Sequence, residues 1–316
     1  TVSATRPARR PGGCRMSGAG EPGGPPPTFS ILMAAYGTEP EIGDAIRSVL
    51  AQTRSDWELI VVDDGSPDDL VDVVTTFLSD PRVRLIRQPN AGAGAARNTA
   101  AGAARGSRYC IFDSDDQMAP EYLAQMGRFL DEHPDVDVVA CDARLLRGDT
   151  VLPTTYYQGG APRPPADRQL ERLFAGNFVC PGAMVRRSAF DAVGGFDPER
   201  GVLEDFDLWV RIANAGGRFA LLDRPLLVYR VRPGGVSRDQ DGRLRLDPLR
   251  EHTIRKHLER LDLAPAARRA ARRRLAQVRQ RIRLGEARAA LRRGDLAGAR
   301  RGARAAVRCR PTPRAA

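Results

Sequence analysis

The chain has 316 residues, 42% of them hydrophobic, which is enough for one large α/β domain and an appendage. Its net charge of +11 is uneven, because residues 246–316 carry +15 and residues 1–27 carry +3, which leaves −7 on residues 28–245. We therefore expect a disordered tail over 1–27, an acidic α/β domain over 28–245 and a basic α-helical extension over 246–316.

The sequence argues against a membrane-spanning or disulfide-rich protein. No stretch approaches the roughly 20 apolar residues that span a bilayer, and the N-terminus lacks the apolar segment of a signal peptide. The five cysteines are scattered, with no CxxC pair and no histidine nearby, which favours free thiols. These features predict a cytoplasmic protein.

Apolar runs alternate with amphipathic stretches in the early part of the chain. The predicted strands are 29–35, 57–62 and 83–86, and the predicted helices between them are 39–52 and 67–78. This β-α-β-α-β series favours a mostly parallel sheet with right-handed crossovers and flanking helices.

Two of the buried runs end in acidic residues. WELIVV is followed by Asp63 and Asp64, and YCIF is followed by Asp113 and Asp115. Open α/β sheets bind ligands at the carboxyl ends of their strands, and carboxylates one residue apart can share an ion such as Mg²⁺ or Mn²⁺. We infer that Asp113 and Asp115 hold metal and phosphates, while Asp64 accepts hydrogen bonds from a base or ribose. A tight turn or a helix cap is the simpler explanation of each acidic group taken alone.

The segment NAGAGAARNT, residues 90–99, places glycines ahead of a predicted helix. It is similar to a dinucleotide-binding fingerprint, but Arg97 takes the third glycine position and the segment follows the third strand rather than the first. Such a turn could instead close over a diphosphate, with Arg97 on the phosphate oxygens. A packing helix made of alanines is the alternative.

The second half of the α/β domain contains a predicted helix over 121–132, strands over 137–142 and 226–232, and a loop over 153–167. Cys180 has no base near it in sequence, which favours a buried thiol over a nucleophile.

From about residue 246 the chain is predicted to be helical. Residues 285–307 read as helix, Gly294-Asp295 turn and helix, and one such hairpin needs the α/β domain to pack against. Its arginines predict a contact with anionic lipid headgroups or a solvated basic face. Binding of nucleic acid is not expected, because no recognition motif accompanies the charge.

Several motifs, in order, resemble the inverting GT-A glycosyltransferases of family two between about residues 28 and 235. They are FSILMAAYGTEPEIGDAIRSVLAQTRSDWELIVVDDGSPDD, NAGAGAARN, FDSDD, FAGNFVCPGAM and VGGFDPERGVLEDFDLWVRIANAGG. The resemblance implies a GT-A fold, a Rossmann-like and mostly parallel sheet with flanking helices.

The resemblance also implies roles for residues around the nucleotide. The nucleobase and ribose are expected on Ala34, Tyr36, Glu39 and Asp64. The DxD-type acids that hold the metal are Asp113 and Asp115, with Asp116 as an alternative ligand.

The resemblance assigns the catalytic base to Asp205, beside Glu204. Acids at a helix N-terminus also suit the helix dipole, so a structural role remains open. Trp209 either flanks the acceptor or fills the core. The family commonly has a histidine near the position of Arg232, and Arg232 is expected to pair with phosphate instead of binding metal.

The implied reaction is metal-dependent transfer of a sugar, with inversion, from a nucleotide-diphosphate donor to an acceptor hydroxyl. The expected cofactor is Mg²⁺ or Mn²⁺, the expected donor a UDP- or dTDP-sugar, and the expected acceptor a saccharide or a lipid-linked molecule. The basic extension suggests a peripheral contact with the inner face of the membrane.

Three alternatives remain open. A nucleotidyltransferase should carry a glycine-rich Arg/Lys loop after the first strand, where AAYGTEP stands. A phosphatase with an Asp-x-Asp nucleophile explains Asp113 and Asp115 but neither Asp64 nor Asp205. A scaffold that binds membrane or nucleic acid through residues 246–316, with an inactive nucleotide-binding domain, is the non-enzymatic alternative.

Overall fold

The computed structural model describes residues 16–17, 25–158, 164–199, 201–232 and 240–309. Most of residues 1–27, for which disorder is predicted, lies outside this part of the chain.

In the described part of the chain, ten strands form one mixed sheet. The strands are β1 (Met16–Ser17), β2 (Phe29–Ala35), β3 (Trp57–Asp63), β4 (Val83–Arg87), β5 (Arg108–Asp113), β6 (Gln117–Met118), β7 (Val138–Arg147), β8 (Thr150–Thr155), β9 (Met184–Arg186) and β10 (Phe219–Arg230). Their order is β1-β4-β3-β2-β5-β9-β7-β10-β6, with β8 paired to β7. The strands β2, β3, β4, β5, β7 and β10 all run in one direction, so the prediction of a mostly parallel sheet is confirmed.

Helices flank this sheet and continue beyond it. Those described are α1 (Glu39–Leu50), α2 (Leu70–Thr75), α3 (Ala93–Ala103), α4 (Tyr122–Glu132), α5 (Gln169–Ala175), α6 (Arg187–Ala192), α7 (Glu204–Asn214), α8 (Gln240–Arg260), α9 (Pro265–Arg292) and α10 (Leu296–Arg308). None of these helices is both long and apolar enough to cross a membrane.

The first half of the sheet follows directly from its hydrophobic pattern. All seven residues of β3 are buried, as expected for a central parallel strand covered on both faces. The helix α1 buries Ile42, Ala45, Ile46 and Val49, which recur at the spacing of one helical face. The three predicted strands form within one residue of their predicted ends, and the helix predicted over 39–52 ends at Leu50, but the helix predicted over 67–78 is limited to Leu70–Thr75.

The register of the central strands sets the position of the site. β2 lies between β3 and β5, with Ala35 paired to Asp63 and Ala34 paired to Asp113. The carboxyl ends of three parallel strands therefore meet at one edge of the sheet.

Several predicted boundaries are wrong in the second half of the sheet. The strand predicted over 137–142 continues to Arg147, because it forms a hairpin with β8. The loop predicted over 153–167 therefore begins inside β8 and ends in a short 3-10 turn, Ala166–Arg168. The strand predicted over 226–232 begins earlier, at Phe219, and pairs in parallel with β7.

A short strand also lies within the region predicted to be disordered. Met16 and Ser17 pair with Ile86 and Leu85 on the outer edge of β4. A two-residue strand of this kind depends on a free sheet edge rather than on its own composition.

The helix α8 is attached to α7 through buried charges. Asp207 of α7 is fully buried, and its carboxylate lies 2.5 Å from Lys256 Nζ and 2.8 Å from His257 Nε2. Burial alone would raise the pKa of Asp207, but hydrogen bonds from His257 and Lys256 outweigh it and hold the pKa well below its ordinary range. Lys256, the one lysine of the chain, also reaches Asp197 at 2.8 Å.

The remaining C-terminal helices build outward from this attachment. α9 packs on α5 and α8, and α10 packs on α9. At the contact between α9 and α10, a side chain at position 302 would come within 2.9 Å of Ala287, so Gly302 permits the close approach. The predicted turn is confirmed, with Gly294 at φ +78° and the Asp295 side chain accepting from the backbone N–H of Gly298 at 2.7 Å.

Candidate active site

A small cleft of about 200 Å³ lies where the carboxyl ends of β2, β3 and β5 meet. We call it the donor cleft. It is lined by Ala34, Ala35, Tyr36, Asp64, Ala93, Arg97, Asp113, Ser114 and Asp115. Of the residues predicted to bind nucleotide, Glu39 does not belong to this lining; it lies at the start of α1, where its backbone N–H donates to Asp68 at 3.0 Å.

Asp64 fixes the glycine-rich turn beside the donor cleft. Its Oδ1 accepts from Gln88 Nε2 at 2.7 Å and from the backbone N–H of Ala91 at 2.9 Å, and its Oδ2 accepts from Gly92 at 2.8 Å. Gly92 has φ +94°, a conformation that favours glycine. The acid at the end of β3 thus positions the start of α3, which carries Arg97.

Three carboxylates cluster directly after β5. Oxygen atoms of Asp113, Asp115 and Asp116 lie within 4.8 Å of one another. Burial and the neighbouring Asp113 raise the pKa of Asp115, and burial together with Asp113 and Asp115 raises the pKa of Asp116 well above its usual value. The cluster therefore favours binding of a proton or a cation.

Arg232 lies beside this acidic cluster. One terminal nitrogen of its guanidinium is 3.2 Å from Asp115 and 3.2 Å from Glu41 of α1. This nitrogen, Nη2, forms ion pairs with the two acids but no hydrogen bond of good geometry, and the buried Nε has no partner among the described residues. A fixed positive charge thus stands next to the acids, with donor capacity left for an anion.

Arg97 connects the donor cleft to α7. Its guanidinium is buried and lies 2.5 Å from Asp113 and 3.1 Å from Glu204. Burial opposes its charge, but Asp113 and Glu204 outweigh this effect and raise the pKa of Arg97. The contacts of Arg97 within the described residues are to acids, although the sequence predicts that it faces a diphosphate.

Asp205 lies at the start of α7, next to Glu204. Burial first, and then the charge of Glu204, raise the pKa of Asp205 to about 6. Asn177 Nδ2 donates to Asp205 Oδ2 at 3.1 Å. Trp209 of the same helix is buried and packs edge to face on Phe219, so it fills the core and does not flank an acceptor.

Asp205 also lines a second, larger cavity of about 750 Å³. We call it the arginine cavity. Its walls come from residues 176–181, the start of α7, and the helices α8 and α9. The C-terminal extension is therefore part of the wall that faces Asp205.

The comparison with protein families decides the family. Residues 30–194 match the family described as Glycosyl transferase family 2. This chain belongs to glycosyl transferase family 2. It is 34% identical over 227 residues to the succinoglycan biosynthesis protein ExoO of Rhizobium meliloti, and 29% identical over 218 residues to the uncharacterized glycosyltransferase EpsJ of Bacillus subtilis. Each alignment covers 67% of this chain and 63% of the relative, so the family 2 chain spans less than two thirds of these relatives.

Solved structures show that this family 2 chain has the GT-A fold. S. aureus TarS, residues 1–349, in complex with UDP-GlcNAc matches with a TM-score of 0.58 and 19% identity, over 90% of this chain and 93% of the other. The mannosyltransferase PcManGT from Pyrobaculum calidifontis, in complex with GDP-Man and Mn²⁺, matches with a TM-score of 0.60 and 20% identity, over 95% and 85%. The predicted fold class is confirmed.

Other sequence predictions can be compared with the geometry. Cys180 is buried, and the four cysteines that the structure describes are free thiols. Local sequence patterns did not identify Glu41, Asn177 or the cavity-lining arginines of α8 and α9. Glu41 and Asn177 meet Arg232 and Asp205 only through the fold, and no spacing rule relates Asn177 to Asp205.

Proposed function

We propose that this chain transfers a sugar, with inversion, from a nucleotide-diphosphate donor to an acceptor hydroxyl during polysaccharide or glycoconjugate synthesis. The observation that carries the proposal is the link between the two cavities. Arg97 contacts Asp113 in the donor cleft and Glu204, whose neighbour Asp205 lines the arginine cavity. A donor and an acceptor could therefore approach each other across this link. The names of ExoO and EpsJ are consistent with such a role.

The acidic cluster fits a hard divalent cation. Its donors are carboxylate oxygens within 4.8 Å of one another, and oxygen ligands are those that Mg²⁺ and Mn²⁺ prefer. We assign the ligand role to Asp113 and Asp115, with Asp116 as the alternative. Bound there, the ion would offset the negative charge that develops on the diphosphate leaving group. PcManGT, which shares the fold, is in complex with Mn²⁺.

Asp205 is the proposed general base. A pKa raised to about 6 leaves its carboxylate ionised at neutral pH and still basic enough to accept the acceptor's proton. The hydrogen bond from Asn177 orients the carboxylate. With the base on the acceptor side and the diphosphate on the opposite side, attack on the anomeric carbon inverts its configuration.

Asp64 and Arg232 are the proposed contacts for the two ends of the nucleotide. Asp64 Oδ2 accepts one hydrogen bond from the described residues and can accept a second from an imide N–H, which favours a uracil or thymine base. Arg232 can donate to the diphosphate from Nε, which has no hydrogen-bond partner in the described structure. TarS, in complex with UDP-GlcNAc, has the same fold.

Calorimetry tests the donor assignment. UDP, dTDP and GDP are titrated, with and without Mn²⁺, into the wild-type chain and into Asp115→Ala. We expect metal-dependent binding of one nucleotide, and its loss in the variant. If none of the three binds under either condition, the donor assignment is wrong. The anomeric configuration of the product, read by NMR, tests inversion.

We also propose that α10 contacts an anionic membrane surface. Leu291 near the end of α9 is 57% exposed, and Leu296 and Val307 of α10 are 59% and 63% exposed. The same helix carries Arg300, Arg301, Arg304 and Arg308. Apolar side chains among arginines suit the boundary between headgroups and acyl chains.

Vesicle sedimentation tests this contact. We expect the chain to sediment with phosphatidylglycerol vesicles and not with phosphatidylcholine vesicles, and to lose the association when Leu296 and Val307 are both changed to Ser. Equal sedimentation with the two lipids, or an unaffected double variant, contradicts the proposal.

A further inference from the structure

The arginine cavity contains more cationic than anionic side chains. Four arginines line it, Arg250, Arg274, Arg281 and Arg288, against two carboxylates, Asp205 and Asp247. Asp247 is fully buried, and Arg281 donates to both of its oxygens at 2.7 and 2.8 Å. Arg250 donates to the same carboxylate at 3.1 Å. The charge of Asp247 is thus already satisfied by two of the four arginines.

Arg274 has no such partner. It forms no hydrogen bond or ion pair with any residue in the described ranges, although its side chain is partly buried in the cavity wall. Burial, together with the nearby Arg281 and Arg250, lowers the pKa of Arg274 to about 10. Asp247, the carboxylate that favours the charged form of Arg274, is already hydrogen-bonded to Arg250 and Arg281. The charge of a partly buried guanidinium is then incompletely compensated, and an anionic ligand would remove that cost.

Arg274 also lines a neighbouring cavity of about 650 Å³. This neighbouring cavity is lined by three further arginines, Arg168, Arg172 and Arg273, and by a single acid, Glu171. The arginine cavity and this neighbouring cavity are therefore adjacent at Arg274, and both have an excess of positive charge. A ligand that reaches Asp205 through this region meets arginines along its length.

We propose that the acceptor carries a phosphate or diphosphate group, which the arginines around Arg274 bind while the acceptor hydroxyl lies at Asp205. This inference rests on the proposed transferase function. Guanidinium groups match phosphate oxygens in geometry and charge, whereas a neutral saccharide would leave Arg274 unpaired. The basic extension then selects the acceptor, in addition to any contact it makes with membrane.

The test is calorimetric titration of inorganic pyrophosphate into the full chain in buffer without divalent ions, at fixed ionic strength. We expect the wild type to bind and Arg274→Gln to weaken binding at least about tenfold. The matched control is Arg272→Gln, which removes the same charge from an exposed position of α9 that lines neither cavity. We expect the control to stay within about twofold, because it loses only long-range attraction. Arg288→Gln, also exposed, is a second cavity variant should Arg274→Gln fold poorly.

Absence of pyrophosphate binding, or equal weakening by Arg272→Gln and Arg274→Gln, overturns the inference. Nucleotide binding with Mn²⁺ is measured on the same wild-type protein. If a nucleotide binds and pyrophosphate does not, the acceptor inference fails while the transferase function stands. If pyrophosphate binds through Arg274 and no nucleotide binds, the transferase function fails instead.

Farnesyl diphosphate and methyl diphosphate distinguish the two sources of such a phosphate, because they carry the same charge. Tighter binding of farnesyl diphosphate, weakened by Arg274→Gln, supports a lipid-linked acceptor. Equal binding of the two, weakened in the same way, supports a phosphate on the glycan itself.

Discussion

The donor cleft and the arginine cavity are built in different ways. The donor cleft is formed by the ends of three neighbouring parallel strands, and one of its acids, Asp64, is fixed by hydrogen bonds from the backbone of Ala91 and Gly92. The arginine cavity is formed by segments far apart in sequence, and its polar atoms belong mainly to long side chains.

If the proposed function holds, this difference assigns donor specificity to the sheet and acceptor specificity to the C-terminal helices. The sheet register holds the strand ends in one geometry even when residues outside the sheet are substituted. This suits the binding of a donor whose chemistry does not change. Arginines on α8 and α9 can be replaced without disturbing the sheet, which suits recognition of an acceptor particular to this chain.

The largest expected effect comes from removing the carboxylate that we propose as the general base. We expect Asp205→Asn to lower kcat for donor hydrolysis or transfer by about 10²- to 10⁴-fold, because the amide cannot accept the proton. Nucleotide affinity should change little, since Asp205 lies outside the donor cleft. Asp191→Asn, an exposed acid on α6, is the control. A comparable loss of nucleotide affinity would show that the two cavities are not separate.

The next largest effect is expected where α8 is attached to α7. Asp207→Asn removes a buried charge that contacts Lys256, His257 and Arg211. We expect it to destabilise the protein by about 3 to 5 kcal/mol in urea unfolding, against at most about 1 kcal/mol for the exposed pair broken by Asp191→Asn.

The pH dependence of that loss provides a further check. The pKa of Asp207 is depressed in the folded state. Its contribution is therefore fully present above the ordinary carboxyl range and lost as pH falls through the folded value. The difference in the free energy of unfolding between wild type and Asp207→Asn should become smaller in strong acid. If this difference in the free energy of unfolding does not depend on pH, the charge of Asp207 is not the source of the stabilisation.

A smaller effect is expected beside the donor cleft, at Arg232, which pairs with Asp115 of the cleft lining. Arg232→Gln removes a positive charge 3.2 Å from Asp115. We expect Mn²⁺ alone to bind about fivefold more tightly, because repulsion of the cation is relieved, and metal-free nucleotide to bind about fivefold less tightly. The control Glu41→Gln removes the other acidic partner of Arg232 and leaves Asp115 in place. Changes of the same sign for both ligands contradict this assignment.

The sequence predicted the two regions to different extents. The strand over 57–63 is apolar at five of its seven positions and buried throughout, so its position could be predicted from composition. β6 and β9 have two and three residues, and pairing with a partner strand, not their own pattern, defines them. The predicted acids of the donor cleft follow strand ends, whereas Asn177 and Arg274 reach the arginine cavity only through tertiary packing.

The helix α7 shows the same limit of prediction from sequence, because two acids in its first turn behave differently. Acids in the first turn of α7 predict favourable interaction with the helix dipole. Asp205 and Asp207 nevertheless differ in the sign of their pKa shift, because Lys256 and His257 of α8 cover only one of them. Sequence alone could not separate these two carboxylates, since the deciding partners lie about fifty residues away.

The most sensitive test of the separation between the donor cleft and the arginine cavity is the acidic limb of the pH profile of kcat/KM. The proposed base acts only when ionised, and burial and Glu204 raise its pKa to about 6. Activity should therefore be full above that value and fall about tenfold per unit as pH drops below it. Glu204→Gln removes the acid that raises the pKa of Asp205, so the limb should move to lower pH. Nucleotide binding, measured over the same pH range, separates this limb from protonation of Asp115 and Asp116 in the donor cleft. A limb that stays in place in Glu204→Gln, or one that follows nucleotide binding, would assign the titration to the donor cleft and not to Asp205.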